Sequence, residues 1–149
     1  MPVDDRSRLL KRAAREAESE TSVWFGPGLP EQLESELARK AQEAGPVSLA
    51  FVEVQSVSGT GLAQAQSLPF AAARIIALGD CQPSELGGLI RNSTSGTMQI
   101  GRLICPFAVF DFTDEGPLLR EIRHGLTAAD LQAELDTTLW SGPDLCELS

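Results

Sequence analysis

The sequence predicts an α/β fold: one domain spanning residues 1–149, built on an open, mostly parallel sheet with helices on both faces. Three observations predict it. Helical apolar spacing alternates with short apolar runs through the first half of the chain. The runs Val47–Val54 (VSLAFVEV) and Leu103–Phe112 (LICPFAVFDF) are apolar at nearly every position, as strands covered on both faces are. A length of 149 residues fits a single domain, which buries about 70% of its unfolded surface.

The first element is a helix over 4–19. Leu9, Leu10, Ala13, Ala14 and Ala17 mark its apolar face, and Asp4 or Asp5 is the expected N-cap. Its cations, Arg6, Arg8, Lys11, Arg12 and Arg15, read as a solvated face or as an anion contact; the solvated face is favoured, because a basic first turn opposes the helix dipole but hydrates well. Ser22–Phe25 is a short strand. Gly26-Pro27-Gly28-Leu29-Pro30 ends it and starts a helix over 30–44, with Pro30 in the first turn, where an N–H has no intrahelical partner. Leu33, Leu37, Ala41 and Ala44 form the buried stripe, and Gly45-Pro46 stops the helix.

Val47–Val54 is the second strand, followed by the loop Ser56–Gly61. Residues 62–73 are barely long enough for a parallel crossover, which takes about a dozen residues, and Pro69 interrupts them. Arg74–Leu78 is the next strand. Residues 79–101 read as a long glycine-rich loop in which only Leu86–Ile90 has strand character. Leu103–Phe112 is the central strand, Asp114–Pro117 a turn, and Leu118–Ile122 the return. Thr127 caps a helix from Ala128 to about Leu135, with Asp130 as its capping-box acid. The tail from Thr137 has mixed character.

Composition narrows the function. Twelve Lys and Arg against 21 Asp and Glu give a net charge of −9, which argues against nucleic acid as a partner. No window approaches the ~20 apolar residues of a membrane span, and the charged N-terminus has no signal-peptide pattern. Three cysteines, at 81, 105 and 146, have no metal-ligand spacing and an odd count. A cytoplasmic, reducing location is expected, with no metal. Asp80, Asp111 and Asp114 lie near strand ends but match no metal pattern.

Ligands of open α/β sheets sit outside the carboxyl ends of the strands, which singles out loops 26–30, 55–61 and 79–83. Ser58-Gly59-Thr60-Gly61 is a phosphate cradle or a tight turn; it lacks the lysine and full pattern of a P-loop, which favours the turn. Cys81 at a strand end is a candidate acyl acceptor. The one histidine, His124, lies in the turn before the last helix and reads as a surface residue. Cys105 reads as a small core residue, and Trp24 and Trp140 as core or interface anchors.

Gly101–Glu134 (GRLICPFAVFDFTDEGPLLREIRHGLTAADLQAE) resembles the C-terminal signature of the β-type subunit of family I coenzyme A transferases, the 3-oxoacid and glutaconate CoA-transferase-like proteins. Asp5–Leu33 is similar to the family's opening helix, strand and Gly-x-Gly-Leu-Pro turn. Gln55-Ser56-Val57-Ser58-Gly59 falls on its Gln-Ser-Glu-Asn-Gly loop, and Arg74–Asp80 on a strand ending in Asp. The resemblance implies a CoA thioester as substrate, no permanently bound cofactor, and an α-type partner subunit or a homo-oligomer. It implies substrate contacts at Gly26, Gly28, Gln55, Ser56, Ser58 and Gly59.

Two departures stand out. The family's nucleophilic glutamate attacks an acyl-CoA, passes through a mixed anhydride and carries CoA as a glutamyl thioester; Val57 stands in its place. An isopropyl group has no lone pair for this chemistry. Glu53 is the nearest acid and the alternative candidate, but in an extended strand four residues span about 13 Å, so a strand-end acid is the favoured reading. Secondly, residues 62–70 stand where the family has a longer central segment. The expectation is a shortened CoA-transferase-like subunit in which ordinary CoA transfer is lost. The alternatives are a non-catalytic scaffold or regulatory subunit, and other acyl-CoA chemistry such as decarboxylation or hydrolysis.

Overall fold

The computed structural model describes residues 5–18, 20, 22–37, 46–63, 71–91, 96 and 98–148. In chain order the elements are α1 (Asp5–Ala17), β1 (Val23–Phe25), α2 (Leu29–Leu37), β2 (Val47–Glu53), β3 (Leu62–Ala63), β4 (Ala72–Leu78), a 3-10 turn (Pro83–Glu85), α3 (Leu86–Leu89), β5 (Met98–Gln99), β6 (Arg102–Ile104), β7 (Ala108–Thr113), β8 (Gly116–Ile122), α4 (Ala128–Gln132) and β9 (Trp140–Glu147). Seven strands form one sheet in the order β1-β2-β4-β6-β7-β8-β9, and β3 pairs β5 separately. The pairs β1–β2, β2–β4, β4–β6 and β8–β9 are parallel; β6–β7 and β7–β8 are antiparallel. The sheet is mixed and mostly parallel, as expected.

Strand alternation divides the core into two layers. Leu49 and Phe51 of β2, Ile76 and Leu78 of β4, Ile104 of β6 and Val109 of β7 pack with Leu9, Leu10, Ala13 and Ala17 of α1 and Leu29 and Leu33 of α2. Their neighbours Val52, Ala77, Leu103, Ala108 and Phe110 point the other way, against Leu86 and Leu89 of α3 and Leu131 of α4. Helices therefore cover both faces. The capping box of α4 forms as read: the Asp130 N–H donates to Thr127 Oγ1 at 3.2 Å, and the Thr127 N–H to Asp130 Oδ2 at 2.9 Å. No helix among the described residues is long and apolar enough to cross a membrane.

Several elements differ from the expectation. Leu103–Phe112 is two antiparallel strands, not one. Pro106 has no N–H for a ladder, and the Cys105 N–H instead closes the turn onto the Ala108 carbonyl at 2.9 Å. Leu86–Ile90 is a helical turn rather than a strand: Leu86, Leu89 and Ile90 bury one face at helical spacing, and Pro83 supplies a first-turn proline. The tail folds as β9 and pairs in parallel with β8. Asp4, residues 38–45 with Ala41, Ala44 and Gly45, and Pro69 lie outside the described residues. Asp5 is the first residue of α1, and Leu33 is fully buried as expected.

The basic face of α1 is not simply solvated. Arg12 is 5% exposed and grips Glu121 of β8 with two hydrogen bonds, 2.9 and 2.5 Å. Asp111 pairs with Arg102 directly across the β6–β7 ladder, at 2.6 and 3.0 Å. Arg102 also reaches Glu16 of α1. Burial acts to raise the Glu121 carboxyl, but the Arg12 hydrogen bond and the charges of Arg12, Arg15 and Arg102 outweigh it and the net shift is downward. A carboxyl depressed in the folded chain stabilises it above the unfolded value, and that contribution is lost as pH falls through the folded value. Urea midpoints are expected to hold steady near neutral pH and to drop below the ordinary glutamate value of 4.5; Glu121→Gln is expected to flatten part of that acid limb.

Gly61 is a second structural test. Its φ of +95° is left-handed, and a Cβ there would sit 2.5 Å from the Ile100 carbonyl oxygen and 2.8 Å from Phe112 Cβ. The Ile100 N–H donates to the Gly61 carbonyl at 2.7 Å, so neither chain can give way alone. Gly61→Ala is expected to cost about 2–3 kcal/mol in chemical denaturation.

Candidate functional site

Parallel pairing of β2 with β4 sets Glu53 opposite Leu78, so both strands end at the same edge of the sheet. A cleft of about 360 Å³ opens there. Its polar walls are Glu53 and Gln55 from the end of β2, Asp80 and Cys81 from the end of β4, and Glu85 from the turn before α3. Two of the loops singled out from the sequence, 55–61 and 79–83, thus contribute to it.

The third loop, 26–30, supports Glu53 from beneath. Gly28 has a φ of +86°, and the Glu53 carboxylate occupies the space that a Cβ at Gly28 would take. The Gly28 N–H donates to Glu31 Oε1 at 2.8 Å, which fixes the turn into α2. Gly26 is buried, and its N–H donates to the Phe51 carbonyl at 3.0 Å. These glycines therefore shape the strand end rather than line the cleft.

Position 57 is elsewhere. β2 stops at Glu53 and the chain turns, so residues 53 and 57 do not continue along one extended face. Val57 is fully buried in the layer with Val54, Ile90 and Ile100. Its N–H donates to the Leu89 carbonyl at 2.7 Å, and its carbonyl accepts from the Arg91 N–H at 2.8 Å. Ser58 is buried too: its Oγ accepts the N–H of Leu62 at 2.9 Å and of Thr60 at 3.3 Å. Ser58 and the buried Gly59 thus form the tight turn, the blander of the two alternatives read for this segment. Ser56 is half-buried and outside the cleft lining. Of the residues expected to touch substrate, Gln55 alone lines the cleft.

Sequence reasoning gave no role to Glu85. It ends the 3-10 turn before α3, accepts the Gln82 N–H at 2.8 Å, and lines the cleft. The Gln82–Glu85 spacing was a readable helix-start signal, hidden by the strand reading of 86–90.

Cys81 is half-buried and next to the buried Cys105. A hydrogen bond from Cys105 lowers the Cys81 thiol, against burial and the charges of Glu85 and Asp80. Burial pushes Cys105 well up, and the bond to Cys81 adds to it. His124 lies far along the chain and faces Glu147 at 3.7 Å, so Cys81 has a thiol neighbour rather than an imidazole base. No group of metal-ligating side chains occurs among the described residues. The cleft offers three carboxylates and one thiol: groups that attack carbonyl carbon or move protons, and that repel phosphates.

A scan against protein-family models finds no match, and a search of curated proteins finds none either. Solved structures do match. A variant of the decarboxylase AibA/AibB superposes with a TM-score of 0.76 at 13% identity, over 99% of this chain and 90% of that one. The acyl-CoA transferase YdiF from Escherichia coli, solved as a thioester complex with CoA, gives 0.69 at 14% identity. The match covers 99% of this chain and 44% of YdiF, so this chain spans under half of that protein. Glutaconate coenzyme A-transferase from Acidaminococcus fermentans gives 0.63 at 9% identity, over 99% and 89% of the two chains. The order of strands and the covering of both faces described above are thus those of a CoA-transferase-like subunit, and this chain has that fold.

Proposed function

We propose that the chain binds a CoA thioester in the cleft at the ends of β2 and β4, as one half of a two-subunit assembly. Glu53, rather than position 57, supplies the carboxylate that meets the thioester. The observation that carries this reading is the placement of Glu53: the last residue of β2, exposed, and on the wall of the cleft. The loss of transfer expected from Val57 does not follow once a carboxylate faces the cleft from the strand tip.

The step is balanced without a cofactor. A Glu53 carboxylate oxygen bonds to the acyl carbon, and the carbon–sulfur bond breaks to release CoA thiolate. That thiolate attacks the Glu53 carbonyl of the mixed anhydride, releasing the acyl group as its carboxylate and leaving a glutamyl thioester. A second carboxylate reverses the sequence. Incubation with acyl-CoA followed by hydroxylamine or borohydride, with a candidate α-type subunit present, tests it. A modified Glu53 is the expected result; modification at another acid contradicts the assignment.

The burial of Val57 favours a second reading, a non-catalytic subunit that keeps the fold without the chemistry. Binding of CoA thioester or partner with no trapped adduct supports that reading over the first.

A further inference from the structure

A second concavity, of about 290 Å³, is lined by Arg8 and Lys11 of α1, Pro106 of the β6–β7 turn, Arg123 and His124 past the end of β8, and the end of β9. Topology puts it on the same edge of the sheet as the acidic cleft. β2, β4, β6, β8 and β9 all run in one direction, because two antiparallel pairings separate β6 from β8. Their carboxyl ends therefore share one edge. α1 passes over both sites. Arg6 bonds Asp80 of the cleft at 3.2 Å, and Arg8 and Lys11 follow within about 8 Å of helix.

The two sites differ in sign. The cleft carries Glu53, Asp80 and Glu85. The second pocket carries two arginines, a lysine and the histidine, against the single acid Glu147, which lies 3.7 Å from His124. In a chain of net charge −9 such a concentration of cations is out of proportion, and concave sites focus their own field. Pro106 and Leu148 add apolar wall. A CoA ester has a matching asymmetry: an uncharged thioester and pantetheine arm at one end, and a purine with three phosphates at the other.

We infer that this pocket is the subsite for the 3′-phospho-ADP end of a CoA ester whose thioester enters the acidic cleft. The inference rests on the CoA-thioester reading above and extends it with a place for the phosphates. Guanidinium forks of Arg8 and Arg123 suit phosphate oxygens, Lys11 supplies a point charge, and Pro106 and Leu148 face the purine. The acidic cleft excludes the phosphates, so the charge pattern also sets the direction in which the ester lies.

Calorimetric titration of the full chain with 3′,5′-ADP, with ADP, with pyrophosphate and with an acyl-pantetheine separates the possibilities. The expected result is 3′,5′-ADP binding that weakens about tenfold or more on raising salt from 50 to 200 mM. The same binding is expected to weaken at least about tenfold in R8E/K11E; both positions are exposed, so an unchanged circular dichroism spectrum is expected of that variant. Acyl-pantetheine binding is expected to be unchanged in that variant. Equal 3′,5′-ADP affinity in wild type and variant, or no binding, overturns the subsite. Pyrophosphate or ADP binding as tightly as 3′,5′-ADP overturns the CoA assignment in favour of a general polyphosphate site. Variant-sensitive 3′,5′-ADP binding without acyl-pantetheine binding upholds the subsite and instead removes the cleft reading.

Discussion

Glu53→Gln is expected to abolish the trapped adduct and to lower CoA exchange at least about 10³-fold, the scale of losing a covalent nucleophile. The amide keeps the shape and hydrogen-bonding size of the side chain but is a poor nucleophile, and it yields no anhydride that a thiolate can open. Glu53 is exposed at a strand end and contributes no core packing, so folding is expected to be unchanged and a fall in activity is chemical. Glu53→Asp is informative beside it. One methylene less draws the carboxylate back toward β2 and away from its place over Gly28, and partial activity is expected. Val57→Glu, by contrast, is expected to unfold or loosen the chain rather than create activity, because position 57 is fully enclosed by apolar side chains. Exchange assays with denaturation controls on all three variants check the set; full activity in Glu53→Gln removes Glu53 from the mechanism.

Arg12→Met is expected to destabilise the chain by about 3 kcal/mol, the cost of leaving one member of a buried ion pair without the other. Glu121 is 15% exposed on its side chain and Arg12 5%, so water replaces little of what the guanidinium provided. The pair joins the first helix to β8 across 109 residues. Loss is therefore expected to be felt in the docking of α1 on the sheet. Arg12→Met/Glu121→Met is expected to recover most of the loss, since two apolar side chains of similar size leave no uncompensated charge. Urea unfolding of the single and double variants checks this. A double variant no better than Arg12→Met alone shows that packing of the arginine stem, not the charge pair, dominates.

The legible parts of the fold were those written in local pattern. β2 is apolar at nearly every position because both its faces are covered, and the Gly-x-Gly-Leu-Pro turn and the Thr127–Asp130 cap carry signals that act within a few residues. Leu103–Phe112 misled because an apolar run does not say where a chain reverses; Pro106 was the available sign. Leu86–Ile90 misled because five apolar-rich residues suit either period, and only the burial of Leu86, Leu89 and Ile90 decides it. Arg12 looked like its basic neighbours, since nothing local announces a partner 109 residues away.

The candidate site was legible as a place and less so as a set of residues. The rule that ligands lie past the carboxyl ends of strands located the cleft. The motif match puts the family's nucleophile position at Val57, and Glu53 is set aside in the sequence on the premise that the chain stays extended from 53 to 57. The strand ends at Glu53 and the chain turns, which buries 57 and leaves 53 on the wall. Ser58 and Gly59 enter the expected site through their place on the family's Gln-Ser-Glu-Asn-Gly loop, whereas the hydrogen bonds to the Ser58 hydroxyl turn them inward. Glu85 joined the site through the fold of α3, which the sequence pattern did not separate from a strand.

Amide NMR during titration with a non-hydrolysable thioether analogue of an acyl-CoA tests the central claim most directly. The account predicts saturable shifts at Gly28 beneath the Glu53 carboxylate and at Gln55, Gly79, Asp80, Cys81 and Gly88, all on the cleft wall, while Val57, Ile90 and Ile100 in the core stay still. Shifts absent from that cleft and confined to another surface would contradict it.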